Sequence, residues 1–497
     1  MFRIPFPLRA DSYKQSHATM YNPNMVRAYY YAEARAPMKF DSDKITNIDS
    51  WRAMSSTFIR PLFSTVVAFG LQAYIDDYLM SQWKDSPWLT DIGKAKELCR
   101  KHRVPFDESA WQAIVDESMT ELPLAINAIP EGTLVPVGTP MMSIVNTTDN
   151  SKWLPSWLET SLLRGVWYPT TVATISWQVR QVCNYFLNKT TSPEKAAIAL
   201  RFMLHDFGAR GVSSGESAVL GGMGHMTQFD GSDTLEALYG VSRSYNADLD
   251  DTAFSVPAAE HSVVMSWGKD REVECYRHIM NAYRDSSVVS IVSDTWDLWN
   301  ALENIWGGAL LEEVKKSRTK IVIRLDSGDP LTTVLRALDI LGAKFGYTVN
   351  AQGYKELPDN LGILQGDGVN LFSIFNILDA MRVRGWSASN IVFGMGGALL
   401  QRCDRDTFHW AMKMSAKANW NDSGKWIGVR KEVKTDAGKQ SKAGRFIVRP
   451  DFTIVSMDDD YIEESTGDNI LRPVWANGTW IDKEKFATIR KRARAGV

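Results

Sequence analysis

Three segments in the second half of the chain end in the same way, and their endings limit the folds open to it. Ile321-Val322-Ile323-Arg324-Leu325 runs into Asp326-Ser327-Gly328-Asp329-Pro330, Ile363-Leu364-Gln365 into Gly366-Asp367-Gly368, and Ile391-Val392-Phe393 into Gly394-Met395-Gly396-Gly397. A short apolar run without alternation reads as a parallel strand covered on both faces. The abrupt polar stops read as loops leaving the carboxyl edge of one sheet, the edge on which an α/β barrel carries its site. Two of the loops offer carboxylates, which suit a sugar diol. The third offers bare glycine backbone, which suits a phosphate.

The length, 497 residues, predicts two or three domains with ample core. The net charge of −2 excludes a global attraction to nucleic acid or an anionic membrane, so any basic patch must be local. Cys99, Cys183, Cys275 and Cys403 are scattered, without the paired spacing of a zinc or redox site. The apolar core near Met1-Phe2-Arg3 is too short for a signal peptide, and no stretch is long enough to span a bilayer. The expected compartment is the reducing cytoplasm.

Residues 1–150 read as mixed: a strand over 28–32, a helix over 59–80, and a two-strand hairpin from Ala128 to Val145. Val172, Ile175, Val179, Val182 and Phe186 then recur at helical spacing. From about residue 196 the chain alternates strand, polar loop and helix. Strands are expected at 197–204, 226–230, 252–256, 288–292, 320–324, 361–365 and 390–393, with an amphipathic helix from Leu331 to Phe345. Seven such units predict a (β/α) barrel over residues 151–405. The flanks, 1–150 and 406–497, are expected to build one mixed α+β domain from both chain ends. Residues 425–445 are basic and, taken alone, read as a solvated face.

The expected strand ends collect an unusual set: His205, Asp206, Phe207 and Arg210; Asp233; Glu260 and His261; Ser293 and Asp294; Arg324 and Asp326; Gly366 and Asp367; and Gly397. Each has a plain structural reading. Phe207 alone is core, His261 alone a satisfied histidine, and Arg324 with Asp326 a simple ion pair. Their convergence at one edge is what points to a ligand. Two arginines and a histidine suit a diphosphate, Asp326 and Asp367 suit ribose hydroxyls, and Gly396-Gly397 amides suit a monophosphate. Phe207 suits a flat ring and Asp233 an amide donor. Together these describe a phosphoribosyl transfer.

On these residues the chain resembles the nicotinamide phosphoribosyltransferases, among the type II phosphoribosyltransferases. The likeness runs from Asp11-Ser12-Tyr13-Lys14 through Leu204-His205-Asp206-Phe207-Gly208 with Arg210-Gly211-Val212, Ser255-Val256-Pro257-Ala258-Ala259-Glu260-His261-Ser262 and Arg324-x-Asp326-Ser327-Gly328 to Gln365-Gly366-Asp367-Gly368-Val369. It implies a homodimer with two shared sites. The reaction implied joins nicotinamide to 5-phosphoribosyl 1-diphosphate, with magnesium on the diphosphate and ATP hydrolysis coupled through phosphorylated His261. By position, Phe207 and a partner Tyr13 sandwich the base and Asp233 accepts from the carboxamide. Arg210, His261 and Arg324 hold diphosphate, and Asp326, Gly366 and Asp367 the ribose. Gly397 holds the nucleotide phosphate with Arg405 and Lys413 of the second subunit, and Arg35, Lys431 and Lys439 approach the polyphosphate. That implication reverses the plain reading of 425–445. Ala209, Met395 and Ala411 depart from residues common in the family, and the last two remove hydroxyl donors. The rival readings are transfer to nicotinate, which the Asp233 carboxylate opposes by charge repulsion, and a silent homologue with a binding or signalling role, which the intact polar set opposes.

Overall fold

A computed structural model describes residues 4–80, 91–118, 121–422, 425–435, 440–457 and 468–495. The expected α/β barrel is present. Its strands, in spatial order, are Gly231–Ser232, Leu204–Asp206, Ile391–Met395, Leu361–Gln365, Lys320–Leu325 and Val288–Val292, all parallel. An extended segment joins the two edges. Phe254 accepts from the Ser232 amide and donates to the Asp230 carbonyl, and Ala259 and Pro257 exchange bonds with Ser290. The seventh unit expected at 252–256 is therefore a connector with single bridges rather than a ladder strand. The strand interiors Ile321, Ile323, Ile363 and Phe393 are at most 1% exposed, as residues covered on both faces must be.

Two further expected strands lie mostly in helices or turns. Residues 197–204 fall mostly in the helix Pro193–Phe202, and the strand starts only at Leu204. Ser192-Pro193-Glu194 is a helix start, with proline at a position where its missing N–H costs nothing, and Ala196 and Leu200 bury one face at i, i+4 spacing. Residues 226–230 complete the helix Gly215–Met226 and its closing turn, where the Phe229 amide donates to His225, so only Gly231–Ser232 is strand. The helix expected over 59–80 is broken as well. Thr65–Val67 is a strand paired with Leu134–Pro136, and the helix begins at Leu71. Gly70 makes the break: it sits at φ 104°, and a Cβ there would lie 2.3 Å from the Pro169 ring. Of the hairpin expected over Ala128 to Val145, Met142–Asn146 is a strand, but its partner is Leu124–Ala128, which ends where the hairpin was expected to begin, and Leu134–Pro136 inside the range pairs with Thr65–Val67 instead.

The mixed sheet is antiparallel and drawn from both chain ends. Its order is Trp426–Gly428, Ala411–Asn419, Met25–Glu33, Met142–Asn146, Leu124–Ala128, Arg472–Ala476 and Thr479–Trp480. The helix Leu154–Thr190 ties it to the barrel. Trp157, Leu158 and Leu162 pack into the core of the mixed sheet, and Val172, Val179 and Phe186 into that of the barrel. Among the described residues no helix is long and apolar enough to cross a membrane.

Candidate active site

The carboxyl edge of the barrel gathers one hydrogen-bonded group. Along Lys320–Leu325 the alternate residues Ile321, Ile323 and Leu325 are fully buried, which turns Arg324 to the opposite face. Its guanidinium donates to both oxygens of Asp326, at 3.2 and 2.8 Å. Asp326 in turn lies 3.4 Å from His261 Nε2. His261 opens the helix His261–Met265, directly after the connector that closes the barrel. Its Nδ1 stands 3.2 Å from Thr295 Oγ1, and its Nε2 also faces Asp294 Oδ1 at 3.8 Å. That Asp294 oxygen is buried and makes no hydrogen bond. Gly366 closes the group from the next strand. A Cβ on it would come within 2.4 Å of Asp326 Oδ1 and 3.2 Å of Arg324 Nε, so the backbone there must be bare.

Phe207 stands beside this group. Its amide donates to the Met395 carbonyl at 3.0 Å, and its ring lies flush on Gly394, where a Cβ would be 2.1 Å from the ring edge. The Arg324 guanidinium is 5.6 Å from the ring centroid. The ring is only half buried, so it is not core. Asp233 is exposed. Ser255 Oγ donates to its Oδ1 at 2.6 Å, and its amide donates to the Asp206 carbonyl. Behind it, burial pushes the Asp206 carboxyl up to about 6 and the His205 imidazole down to about 4, the nearby Asp233 charge opposing the second shift. Arg210 and Asp367 are exposed. Gly397 opens the short helix Gly397–Leu400, and nothing lies within 4 Å of where its Cβ would be. That side of the loop is free for a ligand.

A second group forms at the edge of the mixed sheet. Burial draws the Lys413 amine below its ordinary range, with Glu159 opposing and Arg35, Lys431 and Lys14 adding to the shift. All of these charges come from the mixed sheet, its flanking segments and the long helix, and none from the barrel mouth. Tyr13 is 57% exposed, with its ring against His17 and Lys14, and the Arg405 side chain is more than half exposed and pairs with Asp406 at 2.9 Å. Lys439 lies outside the described residues. Of the departures, Ala209 is exposed in the turn after Phe207, Met395 packs into the barrel core, and Ala411 is buried at the start of the strand Ala411–Asn419. The structure thus unites Phe207, His261, Arg324, Asp326 and Gly366, with Asp233 and Gly397 on the same edge. Arg35, Lys413 and Lys431 form a separate face.

Asp294, already collected at the strand ends from the sequence, faces His261, and three residues without a sequence-derived role join these groups: Thr295 on His261, Ser255 on Asp233, and Lys14 by the Tyr13 ring. Asp294 carried a signal, since it follows Val288–Val292 as Asp326 follows Lys320–Leu325. Among the described residues no group of three or more His, Cys, Asp and Glu is placed to hold a metal. The pair Asp294 and Asp326 suits a hard divalent cation that arrives on phosphate oxygens, which takes only one or two carboxylates from protein.

A profile of the nicotinate phosphoribosyltransferase (NAPRTase) family matches residues 202–479, and one of the nicotinamide phosphoribosyltransferase N-terminal domain matches residues 6–126. The nicotinamide phosphoribosyltransferase of Xanthomonas campestris pv. campestris (strain 8004) is 39% identical over 494 residues, with 98% of each chain covered. That of Acinetobacter baylyi is 30% identical over 521 residues, covering 99% of this chain and 97% of its own. Among solved structures, nicotinate-nucleotide pyrophosphorylase from Pyrococcus furiosus superposes with a TM-score of 0.59 at 13% identity, over 99% of this chain and 97% of that one. Human nicotinic acid phosphoribosyltransferase gives 0.52 at 15%, over 98% and 93%. At such identities these two speak for the fold alone. Likeness along the whole chain to the Xanthomonas and Acinetobacter proteins places this chain among the nicotinamide phosphoribosyltransferases, in the nicotinate phosphoribosyltransferase family.

Proposed function

We propose that this protein transfers the phosphoribosyl group of 5-phosphoribosyl 1-diphosphate to nicotinamide, releasing diphosphate and nicotinamide mononucleotide for NAD salvage in the cytoplasm. One observation carries the reading: Arg324, Asp326, His261 and the bare Gly366 backbone converge within hydrogen-bonding range beside the open Phe207 ring. Phe207 offers one face to the base. Asp233 keeps its second oxygen for the carboxamide while Ser255 occupies the first. Asp326, Gly366 and Asp367 hold the ribose, and Arg210, His261 and Arg324 the leaving diphosphate. As the glycosidic bond to diphosphate breaks, positive charge grows on the ribose and negative charge on the leaving group. Fixed guanidinium groups stabilise the second, and the ring nitrogen needs no base because it carries a lone pair. Magnesium on the diphosphate would supply further charge neutralisation, with Asp294 and Asp326 as its protein carboxylates. ATP hydrolysis is coupled through phosphorylated His261, and Tyr13, Arg405, Lys413, Arg35 and Lys431 reach the site from a second copy. The free state of all four cysteines agrees with a reducing compartment.

The test is product formation from nicotinamide against nicotinate, with and without ATP. Nicotinamide should be preferred and ATP should raise the yield. In Asp233→Asn the carboxylate becomes neutral and gains an amide donor, so nicotinamide use should drop and nicotinate use rise relative to it. Unaltered discrimination removes Asp233 from the base site. In His261→Ala, acid-labile phosphate on the protein should vanish while slow basal transfer persists. Phosphate still appearing there would reassign the coupling residue.

A further inference from the structure

Glu33 ends the strand Met25–Glu33 and is 4% exposed, with the cations Lys442, Arg35 and Lys413 acting on it. Burial pushes its carboxyl up, and Lys442, Arg35 and Lys413 hold it down. The Lys442 ammonium donates to Glu33 Oε2 at 2.5 Å, and the Lys442 amide donates to the Tyr31 hydroxyl at 3.1 Å, one strand face along. Ser441, the residue before, exchanges bonds with Lys431: the Lys431 amide donates to Ser441 Oγ at 2.9 Å and the Ser441 amide to the Lys431 carbonyl. The amides of Val429 and Gly444 both donate to the Ser415 carbonyl. Residues 429–431 and 441–444 therefore run side by side against the strand Ala411–Asn419, fastened at Ser415, Tyr31 and Glu33. Lys431 hangs from this fastening, near enough to Lys413 to lower its amine.

We propose that Glu33 and Lys442 are positioning residues. Their ion pair holds residues 429–431 and 441–444 down on the sheet, so that Lys431, Lys413 and Arg35 present one fixed anion-binding face to a nucleoside triphosphate. This rests on the reading of that face as the polyphosphate end of the ATP site. Like charges crowded without a ligand repel, and a buried carboxylate beneath them is the element that keeps them together. The sign of the effect separates positioning from bulk electrostatics. Deleting a negative charge beside an anion site tightens anion binding if only charge matters. It weakens binding if the carboxylate holds the cations in place.

The experiment compares full-length Glu33→Gln, Lys442→Met and Lys442→Arg with the parent. Each is assayed for KM of ATP in ATP hydrolysis, KM of nicotinamide, and hydrogen exchange at the Ser441 and Lys442 amides. In Glu33→Gln and Lys442→Met, KM for ATP should rise about tenfold, the scale of one lost charge-assisted hydrogen bond. KM for nicotinamide should stay put, exchange at both amides should quicken, and Lys442→Arg should restore most of the loss. Lys442→Met alters a side chain that is more exposed than Glu33 and covers the case in which Glu33→Gln does not fold. An unchanged or lowered KM for ATP overturns the proposal, as does unchanged exchange. A parent that neither hydrolyses ATP nor responds to it, with exchange still quickened in the variants, overturns the ATP reading of the face and the proposal with it.

Discussion

At the scale of single residues, two positions decide more than their size suggests. Gly366 is needed bare because a methyl group would push into the Asp326 carboxylate, which Arg324 and His261 both use. Gly366→Ala should leave the unfolding midpoint nearly unchanged, since the displaced atom is the tip of a side chain. Transfer should fall by about 100-fold, the usual cost of misplacing a reacting group by an ångström. Steady-state kinetics and a urea melt on the same preparation check both halves, and parental activity would remove Gly366 from the ribose site. Glu131 is buried far from this edge. It accepts from the Gly70 and Gln72 amides and the Tyr245 hydroxyl, and burial pushes its carboxyl up to about 7. A carboxyl held up in the fold keeps its proton where the unfolded chain has lost it. Its contribution to stability is thus full below the ordinary carboxyl range and is lost as pH rises through about 7. The buried His205 and His225, both drawn down to about 4, act oppositely: their contribution is present above the ordinary imidazole value and is lost as pH falls toward 4. Measured against Glu131→Gln, which cancels the histidine contribution, the parent should lose on the order of 3 kcal/mol of unfolding free energy between about pH 5 and 8. Parallel pH curves for the two proteins would show that Glu131 does not titrate in this range.

At the scale of elements, the last helix, Phe486–Arg494, is fastened to the barrel by charge. Asp230 is fully buried at the start of the strand Gly231–Ser232 and binds Arg490 and Arg494 of that helix together with Arg201, Arg494 at 2.6 Å. Burial and mutual crowding draw the Arg490 guanidinium down to about 9. Asp230→Asn leaves three arginines around a neutral group and should cost on the order of 3–5 kcal/mol in denaturant unfolding. A loss under about 1 kcal/mol would show that the main-chain carbonyls of Asp251 and Thr252, which Arg490 also reaches, carry the attachment. The same scale explains where sequence patterning failed. Alanine-rich 196–200 is apolar enough for a strand, but Pro193 places it in a helix, while 226–230 holds only Met226 and Phe229 as apolar residues and completes the helix Gly215–Met226 and its turn. Periodicity over five residues cannot separate the two.

At the scale of the whole molecule, the proposal that two copies share each site predicts complementation between Phe207 and Arg405. Phe207→Ala and Arg405→Ala should each be nearly inactive alone. Mixed and allowed to exchange subunits, they should recover up to about a quarter of parental activity: half of the dimers are mixed, and one of two sites in each is intact. A tag pull-down confirms exchange. Heterodimers with no gain over the single variants would place Arg405 in its own subunit's site.

The residue order alone determined the barrel class, the four strands Val288–Val292, Lys320–Leu325, Leu361–Gln365 and Ile391–Met395, and the identity of the polar groups at their ends. Each of these is local: an uninterrupted apolar run, then residues that cannot continue a strand. Only the tertiary structure decided the rest. The bond of Asp326 to His261 spans 65 residues, and the placement of Asp294 against that histidine, the Glu33–Lys442 pair and the closure of the barrel through 254–259 all join distant segments. Contacts of that kind depend on how elements pack in space, which periodicity does not encode.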